Sequence, residues 1–312
     1  TGLLSWKPLP AHWGVTMKKG FFILIVSIFL LAFVLRMGGV VEGVMRGMDA
    51  GEYLGLTTGL VTQGHLPDDY PGFGATYGDF PGFMVITGAV SLLCGINPSE
   101  VQAWTGPLLA GLVCSLTALM VYWIFQREDA ALASGFFLAV FFGHATSTAI
   151  SKPSVLGGFL FLLVLMLLLK KRGAATCVAA SLAGAALIVS HHLSTIFLIV
   201  VLGWSALFTL FYSKKSRLTE AILVLGFTTF SFAFWKFGTH AFWERTFDYL
   251  FVPWWAILLV AVLPAIAIIV IEKFFFTLKN SLKFGSLPSP LLCLGIFCFV
   301  TVAPLVLFYI FR

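Results

Sequence analysis

The sequence predicts an all-α, polytopic membrane protein, and three observations predict it. Of the 312 residues, 60% are hydrophobic and only 10% are charged, against about 25% charged in an ordinary soluble domain. Apolar runs of about 20 residues, long enough to cross a bilayer as a helix, recur along the chain. The basic residues collect in the segments between those runs. A net charge of +6 placed that way orients a membrane protein and points to no nucleic-acid partner.

The first run follows Met17. "MKKGFFILIVSIFLLAFVL" has the two lysines and apolar stretch of a signal peptide. It is as long as a full span, however, and no small-residue cleavage pattern precedes "RMGGVVEG". It reads as an uncleaved first transmembrane helix, with residues 1–19 as a cytoplasmic N-terminal segment and 20–312 as one transmembrane domain. About nine spans are expected, near 20–41, 101–125, 130–149, 153–169, 174–190, 193–212, 219–237, 250–271 and 289–311.

Alternating these spans puts "KK" (18–19), "QRED" (126–129), "KKRG" (170–173), "SKKSR" (213–217) and "EKFFFTLKNSLK" (272–283) on one side. Positive residues concentrate there, so that side is cytoplasmic and the chain belongs in the cytoplasmic membrane. The arrangement requires that "FPGFMVITGAVSLLCGI" (80–96) does not cross. It is short and interrupted by glycine, the range of re-entrant and interfacial segments. Residues 42–100 then form one large external loop with two surface helices, near 50–63 and 81–95.

That loop contains Glu42, Asp49, Glu52, Asp68, Asp69, Asp79 and Glu100, seven of the thirteen acids, and a single base, Arg46. In "RGMDAGEYLGL", Asp49 is positioned to cap a helix starting at Ala50, with Glu52 reaching back and Gly64 ending it. Asp49, Glu52 and Tyr53 share one helical face at i, i+3 and i+4. A carboxylate there can deprotonate a hydroxyl or bind a divalent cation. The five cysteines (Cys94, Cys114, Cys177, Cys293 and Cys298) form no CxxC pair and all but Cys94 fall inside apolar runs; they read as small core residues.

Three further groups face the same side as the acidic loop. His191 and His192 in "VSHHLSTIF" end one span. Their side chains point about 100° apart on a helix, so both do not ligate one ion. Lys152 in "ISKPSV" precedes Pro153, a usual first helical residue, and so sits beside a helix N-terminus that favours phosphate. Arg245 in "HAFWERTFDYL" is a further phosphate contact, while Trp243, Trp254 and Trp255 read as an aromatic belt at the interface.

The order Arg36, Asp49, Tyr53, "GHLP" (64–67), "YPGFGATYGDFPGF" (70–83) and "LLCGINP" (92–98) resembles the first external loop of the GT-C class of membrane glycosyltransferases. That class includes oligosaccharyltransferases, protein O-mannosyltransferases and the lipid A aminoarabinose transferase. The likeness covers roughly residues 20–215. It implies a GT-C-like fold and inverting transfer of a sugar from a polyprenyl-phosphate donor to an acceptor on the extracytoplasmic face. Asp49 would be the base, with Glu52 as the second catalytic carboxylate. Lys152, His191, His192 and Arg245 would bind the donor phosphate, and Tyr53, Tyr70, Tyr77 and Asp79 would form the substrate loop. A divalent Mg or Mn held by Asp49 and His191 is also implied. The sequence departs from the class in pairing Asp49 with Glu52 rather than with an adjacent acid. "SKPS" (151–154) stands where an acidic motif is found in oligosaccharyltransferases, and no "WWD" motif is present. The rival expectation is a non-catalytic GT-C-fold subunit packed in a membrane complex. A transporter is disfavoured, since it would want ionisable residues in mid-span and His144, near the outer third of its span, is the closest candidate.

Overall fold

The computed structural model describes residues 18–41, 49–67, 70, 77–169, 174–212, 218–239 and 243. The spans expected at 250–271 and 289–311 lie outside the described residues, as do Glu42, Arg46, Asp68, Asp69, Arg245, Trp254, Trp255, Cys293 and Cys298. Every regular element among the described residues is helical: α1 (Lys19–Arg36), α2 (Gly38–Val41), α3 (Ala50–Gln63), α4 (Gly82–Cys94), α5 (Pro98–Phe125), α6 (Glu128–Val140), α7 (Phe142–Ala149), α8 (Pro153–Leu169), α9 (Ala174–Ser190), α10 (His192–Tyr212) and α11 (Leu218–Gly238). The chain divides into two compact units, Thr1–Thr195 and Ile196–Arg312.

α1 and α5 are each long and apolar enough to cross a membrane, and α6 with α7 make a third candidate if they count as one bent span. α8 and α9 are shorter apolar helices. α5 starts where its sequence directs. Pro98 occupies the first turn, and the Asn97 side chain accepts from the Ser99 N–H at 2.9 Å.

The core of the first unit lies between α1, α5 and α6. Phe21, Ile25, Ile28 and Ala32 meet Cys114, Ala118 and Tyr122, with Ala131 and Ala139 closing the cluster. Five of these nine are Ala or Cys, small enough to let helix backbones approach closely. The Phe21 ring lies 4.7 Å from Tyr122, and the Phe33 ring 5.9 Å from Trp104. α1 and α5 are therefore antiparallel. Lys18 pairs with Glu128 at 3.2 Å, so α6 starts beside the start of α1 and runs parallel to it.

The span expected over 130–149 is not one straight helix. α6 and α7 are bent by 60° at Phe141, with no proline to explain it. A buried cation explains it instead. Arg36, 1% exposed, ends α1 and inserts at the break. Its Nη1 donates to the Ala32 carbonyl at 2.7 Å and to the Ala139 carbonyl at 3.1 Å. Its Nε donates to Thr148 Oγ1 at 2.7 Å, and its Nη2 to His144 Nδ1 at 2.9 Å. The break frees carbonyls from the helical ladder, and a guanidinium satisfies one of them. α1 likewise stops at Arg36, short of the expected residue 41, and α2 follows as a single turn.

In the second unit, α11 buries Thr228, Ser231 and Trp235, and Thr239 just beyond its end is buried too. The hydroxyls of Thr228, Ser231 and Thr239 donate back to carbonyls four residues earlier, at 2.7, 2.7 and 2.8 Å. Lys236 Nζ lies 4.8 Å from the centre of the Trp243 ring, a cation–π contact beside the expected aromatic belt.

Candidate functional site

Helices α3 and α4 form at the two expected places, but the start of α3 differs from its expected cap. Asp49 has a helical backbone (φ −89°, ψ −4°), and its side chain makes no capping hydrogen bond. Its backbone carbonyl accepts from the Tyr53 N–H at 3.2 Å. The carboxylate is left for another partner. It accepts from the Tyr77 hydroxyl, which in turn accepts from the Tyr53 hydroxyl. The Tyr53 and Tyr77 rings lie 4.7 Å apart.

This chain of hydroxyls shifts the phenols in a consistent direction. Burial, donation to Tyr77 and the nearby Asp49 charge push Tyr53 far above the ordinary tyrosine range. Burial and then the Asp49 carboxylate push Tyr77 up as well, against the Tyr53 hydroxyl that donates to it. Tyr70 lies across α3 beside Gly55. Burial raises its phenol too, followed by donation to Glu52 and the charge of that carboxylate. Asp49 and Glu52 thus each accept from a loop tyrosine, and both stay half-buried.

The histidines lie at the junction of α9 and α10. His191 Nδ1 accepts from the Ser194 backbone N–H at 3.2 Å and from the Ser194 hydroxyl at 2.8 Å. A backbone N–H only donates, so Nδ1 is unprotonated and the ring proton sits on Nε2. Burial, with the Lys152 ammonium close by, pushes His191 down to about 4. Burial and then His191 push His192 down to about 4. Both rings are therefore neutral at pH 7, and the positive charge at this end is that of Lys152. Lys152 directly precedes α8, and its carbonyl accepts from the Val155 N–H at 3.0 Å.

A single 3-10 turn at 77–79 joins the two groups. Tyr77 faces Asp49 and Tyr53. Three residues on, the Phe80 ring lies 5.0 Å from His192, whose ring is 5.5 Å from His191. Asp79, inside the turn, has partners of its own. At Gly82 an added Cβ would run into the Ser190 side chain and come within 3.0 Å of its Cα. The absence of a side chain lets α4 start against the end of α9. The expected residues Asp49, Glu52, Tyr53, Tyr70, Tyr77, Lys152, His191 and His192 thus belong to one end of the first unit.

The implied metal set fits poorly. To ligate through Nε2, His191 would have to take its proton back onto Nδ1 and surrender the Ser194 N–H. Among the described residues, no three His, Cys, Asp or Glu side chains converge as a metal site would require.

Sequence reasoning passed over two side chains here. Gln102 is fully buried in α5; its Nε2 donates to the Ala50 carbonyl at 2.9 Å, beside Asp49, and its Oε1 has no partner among the described residues. An amide inside the run expected to span at 101–125 was the available signal. Ser151 Oγ accepts from the Gly106 N–H at 2.7 Å and so anchors the segment that presents Lys152; nothing in its local sequence marks it. This chain matches no known protein-family model and no curated protein.

Proposed function

We propose that the chain is a multi-pass membrane glycosyltransferase of GT-C-like fold, with about nine spans in the cytoplasmic membrane. It transfers a sugar from a polyprenyl-phosphate donor to an acceptor on the extracytoplasmic face. One observation carries the reading: a carboxylate accepting from Tyr77, which itself accepts from the buried Tyr53, sits at the same end of one unit as Lys152 and the His191 Nε2–H. A base and an anion-stabilising pair are what this displacement needs.

In the proposed step Asp49 takes the proton from the acceptor hydroxyl or amide. The acceptor atom bonds to the anomeric carbon with inversion, and the bond from that carbon to the phosphate oxygen breaks. The departing polyprenyl phosphate is held by the Lys152 ammonium and the His191 Nε2–H, with His192 as a further contact. Tyr77 orients the Asp49 carboxylate, and Glu52 with Tyr70 borders the acceptor. The bilayer takes the donor's tail. No step is routed through a divalent Mg or Mn.

The test replaces Asp49 by Asn and follows transfer from labelled polyprenyl-phosphate sugars in proteoliposomes. The reading expects loss of transfer with a normal thermal transition. Full transfer by the Asn variant removes Asp49 from the chemistry. A wild-type chain that transfers from none of these donors and co-purifies with other membrane proteins is instead a non-catalytic subunit.

A further inference from the structure

α3 and α4 pack against each other, yet they turn opposite chemistry outward. The exposed residues of α3 are Gly51, Thr58, Thr62 and Gln63, and none of its large apolar side chains is exposed. That is the ordinary pattern of a helix facing water.

α4 is inverted. Its outward residues include Val85, Ile86, Val90, Leu92 and Leu93, the last 86% exposed, and Ile96 just beyond its end adds to them. Its two polar side chains, Thr87 and Ser91, are both turned inward, at 0% and 4% exposure. Both are satisfied internally. Thr87 Oγ1 donates to the Phe83 carbonyl at 2.9 Å and lies 3.3 Å from Thr57 Oγ1 of α3. Ser91 Oγ donates to the Ile96 carbonyl at 2.6 Å. Polar groups satisfied within the protein and aliphatics outside is the arrangement hydrocarbon demands.

We propose that α4 lies in the bilayer leaflet on the Asp49 side, its outward face against lipid acyl chains, with the membrane–water boundary between α4 and α3. Length excludes a crossing: 13 residues rise about 20 Å, against a hydrocarbon core of about 30 Å. Composition excludes a protein-docking face. Such faces concentrate Trp, Tyr and Arg within a polar rim, whereas this one holds only aliphatic residues and the exposed Cys94. The outward faces of α1 (Phe22, Ile23, Leu30 and Val34) and α5 (Trp104, Leu108 and Ile124) are apolar as well. α4 joins α5 through residues 95–97 alone, so its C-terminal end lies beside the start of a helix long and apolar enough to cross a membrane. Asp49, at the start of α3, then sits on the water side of the boundary, within reach of a ligand whose tail lies beside α4.

The test uses the unaltered chain in phosphatidylcholine vesicles containing a phosphatidylcholine with a diazirine on its acyl chain. After photolysis, mass spectrometry locates the adducts. The proposal expects adducts on the segment 82–97 and on α1, and none on 51–63. Labelling of α1 without 82–97 overturns it, because α4 is then covered by protein, a second copy included. Equal labelling of 51–63 and 82–97 also overturns it, because the boundary then does not run between the two helices.

Discussion

The Arg36 guanidinium donates to Nδ1 of His144 at 2.9 Å across 108 residues of sequence. Arginine only donates, so His144 is held neutral with its proton on Nε2, and its Nδ1 is not a donor to the Leu138 carbonyl 3.1 Å away. No carboxylate forms an ion pair with Arg36 among the described residues. Its charge is compensated by hydrogen bonds alone. Arg36→Met leaves the Ala139 carbonyl without this donor, and His144→Ala removes one acceptor. Each is expected to cost about 1–3 kcal/mol, with the double variant well short of the sum. Arg36→Lys recovers only part, since an ammonium does not reproduce the fork. Thermal unfolding in nanodiscs measures all four.

Tyr53 and Tyr77 make an asymmetric pair. Tyr77→Phe leaves the buried Tyr53 hydroxyl without its acceptor and Asp49 without its donor. Tyr53→Phe removes a donor and orphans nothing buried. The first is expected to cost about 1–3 kcal/mol and the second about 1 kcal/mol or less. The double variant should be more stable than Tyr77→Phe alone. If Asp49 is the base, Tyr77→Phe also lowers transfer more than Tyr53→Phe does.

Gly82→Ala places a methyl group against the Ser190 side chain and within 3.0 Å of its Cα. A backbone neighbour does not swing aside, so α4 and α9 must separate. A loss of about 1–3 kcal/mol is expected. Gly158→Ala, where an added Cβ meets nothing within 4 Å, is the control and should be neutral or slightly stabilising. Parallel denaturation curves decide between them.

The histidine pair makes stability depend on pH. His191 and His192 titrate near 4 in the folded chain, against about 6.5 when unfolded. Between those values the unfolded state binds more protons, so stability falls as pH drops from about 6.5 to about 4. His191→Asn keeps an acceptor for the Ser194 N–H and removes a titrating group. Paired with His192→Asn, it should flatten the melting temperature across that window. An unchanged slope would show that the histidines are solvated.

The helices were legible where composition and spacing speak locally. Gly64 announces the end of α3, because capping is decided within a few residues. The candidate residues were legible as types. Their partners were not. Asp49 looked like a cap because an Asp before an apolar run usually is one. Tyr77, 28 positions away in the chain, took its carboxylate instead. His191 accepts from the Ser194 N–H three residues on.

The sequence by itself determined an all-helical chain with membrane-length apolar runs, because burying that much apolar surface is a bulk property that local hydrophobicity already encodes. It also determined that the acids gather in one segment. Only the tertiary structure decided that the run over 130–149 breaks at Phe141, and that the Thr87 and Ser91 face of α4 turns inward. A group from a distant segment stands at each place: Arg36 reaches the Ala139 carbonyl, and Thr57 lies against Thr87. A buried polar atom must find a partner wherever the fold supplies one, and linear spacing does not say where that is.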